Sequence, residues 1–163
     1  ISASVLGIPV IAIVAIIVAL ILAFLTIKTK LGRNIYALGG NKESAWYSGI
    51  NVKLHTLIVF IISGLCAGIA GIVLLGRVGS AEPAAATGFE TYAIAAAIIG
   101  GTSFFGGKGK IHGVVVGGLI IGVINYGMNI LSLSSTLQQV VMGALIIGSV
   151  ALDRFVGSKN TSK

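Results

Sequence analysis

From Val5 to Ile27 the chain carries no charge, and Thr26 is the one polar side chain. About 20 apolar residues in helical form cross the hydrocarbon core of a bilayer, where only helices and closed barrels satisfy their own backbone. Leu54–Leu75 and Ile111–Leu131 are full-length runs of the same kind. Tyr92–Phe105 and Val140–Leu152 are shorter, and each extends through polar flanks, from Gly88 onwards and over Thr136–Val156 respectively. The expected fold is therefore an all-α integral membrane bundle of about five transmembrane helices, near 5–27, 54–75, 88–105, 111–131 and 136–156. A single partial domain, 1–163, is expected, with a polar segment at 28–53. Composition agrees: 9% of residues are charged, against about 25% in soluble domains. The first run lacks the basic leader and cleavage site of a signal peptide. The chain opens on Ile1 rather than Met, so a segment of a longer protein is expected.

The net charge of +7 would suggest a nucleic-acid partner in a soluble chain, but its placement argues otherwise. With the amino end outside, the inner segments hold Lys28, Lys30, Arg33, Lys42 and Lys53, then Lys108 and Lys110, then Arg154, Lys159 and Lys163. Of the 11 Lys and Arg residues, that leaves Arg77 alone outside. Basic residues collect on the cytoplasmic side of membrane proteins. The carboxyl end is thus expected in the cytoplasm, and no nucleic-acid partner is expected. The sequon Asn160-Thr161-Ser162 then lies on the wrong face for glycosylation and reads as a solvated tail.

Residues 98–113, IIGGTSFFGGKGKIHG, invite a phosphate-loop reading that fails letter by letter. The pattern G-x-x-x-x-G-K-[ST] ending on Gly107-Lys108 needs glycine where Thr102 stands and a hydroxyl where Gly109 stands. The pattern G-x-G-x-x-G from Gly107 needs glycine at His112. No cofactor is therefore expected on this chain. The stretch reads instead as a tight cytoplasmic turn, with Gly106–Gly109 turning and Lys108 and Lys110 fixing its side. His112 and His55 read as interfacial residues, because no donors cluster near them to hold a metal. Cys66 sits in an apolar run without a partner, as a buried free thiol. No paired carboxylates, Ser/His/Asp set or Cys/His cluster marks a catalytic residue, so the chain is not expected to be an enzyme.

Glycines have another use between membrane helices, where close backbone approach across small residues drives association. Gly64, Gly68 and Gly71 share one helical face, and Gly113-x-x-x-Gly117 and Gly118-x-x-x-Gly122 repeat the small-xxx-small spacing.

The segment 28–53 contains a compact helix signal. Asn41 suits an N-cap, Glu43 favours a first turn, and Gly49 suits the left-handed position after the end. Residues 42–48 would form about two turns, too short to be stable alone. Ala45, Trp46 and Tyr47 offer it an anchor surface. Two readings fit: docking on a partner, or lying at the interface with its aromatics among lipid headgroups.

GRNIYALGGNKESAWYSGINV, then RVGSAEPAAATGFETYAIAAAIIGGTSFFGGKGKIHG, then VINYGMNIL and SSTLQQVVMGALIIGSVALD resemble the permease subunits of bacterial ABC importers for simple sugars, of the ribose and galactose (methyl-galactoside) type. The resemblance covers roughly 25–155, and Val5–Ile27 matches only in hydrophobicity. It departs at Tyr92, where many relatives carry Asp. It implies a bacterial inner-membrane protein of about ten helices, of which this chain is the C-terminal half. It implies a second permease subunit, an ATPase subunit that alone binds ATP, and an extracytoplasmic sugar-binding protein. It also implies that Asn41, Glu43, Ala45, Trp46, Ser48 and Gly49 belong to a coupling helix seated on the ATPase.

Polar groups inside apolar helices usually face the bundle interior. Gly118, Gly122, Asn125 and Asn129 fall on one face, with Tyr126 beside them. The asparagine amides suit either sugar hydroxyls in passing or a packed interhelical seam. Gln138 and Gln139, at the outer start of the last helix, read as solvated. Glu82 and Glu90 lie on the outer side, positioned for the binding protein or as plain loop residues. The rival class is a channel or facilitator working without ATP, which has no need of a docking helix at 41–49.

Overall fold

The computed structural model describes residues 4–5, 8–81, 84 and 86–159. The chain forms two compact units, Ile1–Ala86 and Thr87–Lys163, where the sequence reading takes it as one partial domain. Glu82 lies outside the described residues.

In the first unit, strands β1 (Ser4–Val5) and β2 (Ile8–Pro9) pair antiparallel, with Ser4 opposite Pro9 and Val5 opposite Ile8. The first helix, α1 (Val10–Lys28), thus begins five residues later than the apolar run suggests. Pro9, with no backbone donor and φ of −58°, stands just before it, where a missing N–H costs nothing. No residue of α1 is buried. A helix apolar on all sides and uncovered by its own chain has lipid as its natural surrounding.

The chain bends at Thr29 into α2 (Lys30–Gly40), whose first turn is capped by Thr29 Oγ1 accepting from Gly32 N at 3.2 Å. The sequence reading leaves 28–40 as loop. Its three glycines argue against a helix by propensity, yet Gly32 is there for space. A Cβ at Gly32 would strike the Thr26 and Leu25 carbonyls, so the sharp turn between α1 and α2 requires glycine. Leu31, Ile35 and Leu38 then share one face of α2. After α3 (Lys42–Tyr47), helix α4 (Val52–Val78) runs 27 residues, about 40 Å at 1.5 Å per residue. Asn51 Oδ1 caps its start by accepting from Leu54 N at 3.1 Å, and Gly79 closes it at φ +76°. The helix exceeds the expected 54–75 at both ends because these two caps lie outside the apolar run. Cys66 is half-buried rather than buried, as no residue of α4 is fully buried within its unit.

The second unit holds α5 (Phe89–Ile99), α6 (Ile111–Ile130) and α7 (Ser135–Lys159). The expected span at 88–105 is corrected here. Helix α5 stops at Ile99, because Gly101 takes φ +83° and turns the chain out of helical geometry. Its 11 residues rise about 16 Å, roughly half a bilayer core. The core gathers Ala95 and Ala96 of α5, Ile121 and Met128 of α6, and the fully buried Met142 of α7. Tyr92, the departure from the resembled pattern, packs against this core and lies 6.1 Å edge-on from Phe89.

Glycine sets the α5–α6 contact. A Cβ at Gly113 would collide with the Gly100 carbonyl, and one at Gly117 with the Ala96 carbonyl and, at 2.8 Å, the Gly100 nitrogen. The two backbones therefore meet directly, as the Gly113-x-x-x-Gly117 spacing anticipates. Gly64, Gly68, Gly71, Gly118 and Gly122 behave differently. A Cβ at any of them meets nothing within 4 Å, so no close approach inside either unit uses them.

Candidate functional site

The short helix at 42–47 is built by its ends. Asn41 Oδ1 accepts from Ser44 N at 2.9 Å, satisfying a first-turn donor, and Glu43 occupies that turn. At the other end Gly49 takes φ +82°. Its N–H bonds the Trp46 carbonyl, and that of Ile50 reaches the Ala45 carbonyl, both at 3.0 Å. This paired closure is a Schellman motif, in which the left-handed residue is nearly always glycine. Ser48 Oγ adds a bond to the Ser44 carbonyl at 2.8 Å. Two caps on six residues hold a helix that propensity alone would leave frayed.

Helix α3 rests on both α2 and α4. Its seat is tied by His55, whose Nδ1 lies 2.8 Å from the Asn51 carbonyl and whose Nε2 lies 3.0 Å from Asn34 Nδ2. A carbonyl only accepts, so the two contacts are met together when Nδ1 carries the proton and Nε2 accepts from Asn34. His55 therefore joins α2 to α4, a role its reading as an interfacial residue misses.

The anchor surface is divided. Ala45 is 4% exposed and turned onto its own unit, whereas Trp46 is 62% and Tyr47 80% exposed. Consecutive residues of a helix point about 100° apart, so the small side chain can face inward while the aromatics face out. Ala45 thus seats the helix, and the outward face belongs to Trp46 and Tyr47, whose rings pack edge-on at 5.0 Å. An open groove of about 760 Å³ runs along this face, lined by Lys42, Glu43, Trp46, Tyr47 and the Gly49–Lys53 connection. Of the expected coupling residues, Glu43, Trp46 and Gly49 line it, while Asn41, Ala45 and Ser48 hold its frame.

A second polar group joins α6 and α7. Asn129 Nδ2 donates to the Asn125 carbonyl at 2.9 Å and to Asn125 Oδ1 at 2.8 Å. Gln138 Nε2 donates to Asn129 Oδ1 at 3.3 Å and to the Leu133 carbonyl at 3.0 Å. Gln138 is 8% exposed, which corrects its reading as a solvated residue. The spacing Gln138, Met142, Leu145, Ile146 places it on the buried face of α7, a signal the sequence carries. Asn129 is therefore engaged in the seam between the two helices. Tyr126 is exposed, and Glu90 stands exposed in the first turn of α5 with no hydrogen bond to Asn125 or Asn129 among the described residues.

The Gly-rich turn at 101–110 is ordered by Ser103. Its N–H bonds the Lys108 carbonyl at 3.0 Å, and its Oγ donates to Asp153 Oδ2 at 3.2 Å, linking the turn to α7. Gly101, Gly106 and Gly107 take positive φ, so these glycines shape a turn. Among the described residues no group of three His, Cys, Asp or Glu is placed to hold a metal ion.

A family described as the permease component of branched-chain amino acid transport systems matches residues 1–150. The chain belongs to this permease family. The D-allose transport system permease protein of Escherichia coli K12 is 68% identical over 155 residues, 95% of this chain and 48% of that protein. The ribose import permease protein of Bacillus subtilis 168 is 46% identical over 149 residues, 91% of this chain and 46% of that protein. The xylose transport system permease protein of Haemophilus influenzae Rd is 42% identical over 147 residues, 90% of this chain and 39% of that protein. The resemblance to sugar permeases drawn from the motifs is thus borne out, and its expected extent is corrected, since the family match takes in Val5–Ile27 as well. The chain spans about half the length, or less, of these curated relatives. No solved structure matches it. It is a multi-pass membrane protein, with α1, α4 and α6 each long and apolar enough to cross a bilayer.

Proposed function

We propose that this chain is the C-terminal half of the permease subunit of an ATP-driven importer for a monosaccharide of the allose or ribose kind. The observation that carries the reading is α3: a two-turn helix, capped at both ends and outside every apolar span, that presents Trp46 and Tyr47 beside a groove. A helix unable to persist alone is held rigid here with its aromatics exposed, as a lever transmitting force from a partner requires. The partner in this reading is an ATPase subunit, which binds the nucleotide, while this chain binds no cofactor. A second, identical permease subunit completes the pathway, and an extracytoplasmic binding protein delivers the sugar. The basic residues at 28–53, 108–110 and 154–163 support a cytoplasmic carboxyl end in this reading. Closure of the ATPase is then converted into alternating access by movement of packed helices.

Trp46→Asp in the full-length permease tests this. Interface aromatics commonly carry 2 kcal/mol or more, so losing one lowers docking affinity by about thirtyfold or more. The expected outcome is normal membrane insertion, loss of ATPase copurification and loss of ATP-driven uptake. A facilitator needs no such docking face. Wild-type uptake with the ATPase still copurifying removes the coupling role from α3.

A further inference from the structure

The amides joining α6 to α7 form a chain with a fixed direction. The Leu133 carbonyl only accepts, so Gln138 must aim its nitrogen there, and that nitrogen also meets Asn129 Oδ1. Asn129 must then turn its own nitrogen to Asn125, where the backbone carbonyl of Asn125 independently demands a donor. Asn125 Oδ1 is thereby occupied as an acceptor. The two amide hydrogens on Asn125 Nδ2 are left without a partner among the described residues, and so is the hydroxyl of the adjacent, 69% exposed Tyr126. Two carbonyls, one at each end, determine the polarity, so Asn125 presents a donor and not an acceptor.

Asn125 lies toward the end of α6. The contacts of Gly100 with Gly113 and of Ala96 with Gly117 set an antiparallel register that, continued outward, brings Gly88 level with Asn125. Residues 86–88 are turn, and α5 begins only at Phe89. Non-helical backbone at membrane depth is tolerated where protein buries it or water reaches it. A half-length helix thus ends level with Asn125 instead of running past it as a continuous apolar helix.

We propose that Asn125 forms a contact point for a hydroxyl of the passing monosaccharide, and that Gln138, acting through Asn129, is a positioning residue that together with the Asn125 carbonyl holds Asn125 as the donor. An amide donor with two unengaged hydrogens suits the oxygen of a sugar hydroxyl. This rests on the importer reading and deepens it.

The test uses the full-length permease with its ATPase in proteoliposomes. The binding protein is preloaded with D-allose or with each of its monodeoxy analogues, so that its own selectivity drops out of the rate. Wild type is expected to move at least one analogue about tenfold more slowly than D-allose, the worth of one hydrogen bond. Asn125→Ala should bring that ratio to about one. Gln138→Glu, of equal size but unable to donate as a carboxylate, should do the same although Asn125 is intact. Asn129→Asp covers the case in which a buried acid at 138 fails to assemble. It is exposed, still accepts from Gln138, cannot donate to Asn125, and should also collapse the ratio. ATPase copurification should persist in all three variants that assemble. A wild-type ratio of one for every analogue, or a full ratio retained in Asn125→Ala, in Asn129→Asp or in an assembled Gln138→Glu, overturns the proposal and leaves the amides as a helix seam. Absence of any ATP-driven uptake by the wild-type assembly removes the importer reading itself, and the proposal with it.

Discussion

At the scale of single residues, glycines of identical spacing have different fates. Gly117 faces the Ala96 and Gly100 backbone with no room for a methyl group, whereas Gly122, five positions on, faces open space within its unit. Spacing identifies small-xxx-small pairs but not which of them is in contact, because that depends on where the neighbouring helix lies. Gly117→Ala in the full-length permease is expected to lower the melting temperature measurably, since overpacking of this kind costs about 1–3 kcal/mol. Gly122→Ala should be much milder. Equal melting points for the two variants in detergent would show that the α5–α6 approach is looser than described. Ala45 and Gln138 show the same dependence on neighbours, the first turned inward and the second drawn under α6.

Among the elements, α3 was the most legible in the sequence and α5 the least. Asn41, Glu43 and Gly49 act locally, through an N-cap, a first turn and a left-handed closure, and such signals need no tertiary partner. Asn41→Ala should cost the helix about 1 kcal/mol as a lost cap, and Gly49→Ala about 1–2 kcal/mol from its positive φ. Together they should raise amide hydrogen exchange across Ser44–Ser48 well above that of α4. Unchanged protection there would mean that the seat on α2 and α4, not the caps, holds the helix. The half-length of α5 escaped the sequence because the apolar letters continue to Phe105, and only the backbone angle at Gly101 shows where helical geometry ends. Helix α2 escaped for the opposite reason, since its glycines resemble breakers until the turn at Thr29 makes Gly32 necessary.

For the whole molecule, the orientation argued from basic residues gives a direct expectation. In a cysteine-free background, a cysteine at Lys42 should resist an impermeant thiol reagent added to intact cells, and one at Ala84 should react. Labelling of position 42 from outside would reverse the topology and detach α3 from any cytoplasmic ATPase. The uncovered faces of α1 and α4 belong to the same scale. A chain covering about half of its relatives' length leaves them for lipid or for further helices, and Gly64, Gly68 and Gly71 lie along one of them.

The sequence by itself determined the solvent, the class and the family, because apolar length, charge placement and motif order are properties of the chain that no packing can alter. It also determined the capped helix at 42–47, since capping acts over three or four neighbouring residues. Only the tertiary structure decided which glycines carry a helix crossing, where α5 stops, which face of α3 looks outward, and that Gln138 is buried and sets the direction of the amides. Each of these depends on what lies opposite a residue in space, and pairs such as Gly100 with Gly113, or Asn129 with Gln138, are brought opposite one another only when the helices fold back together.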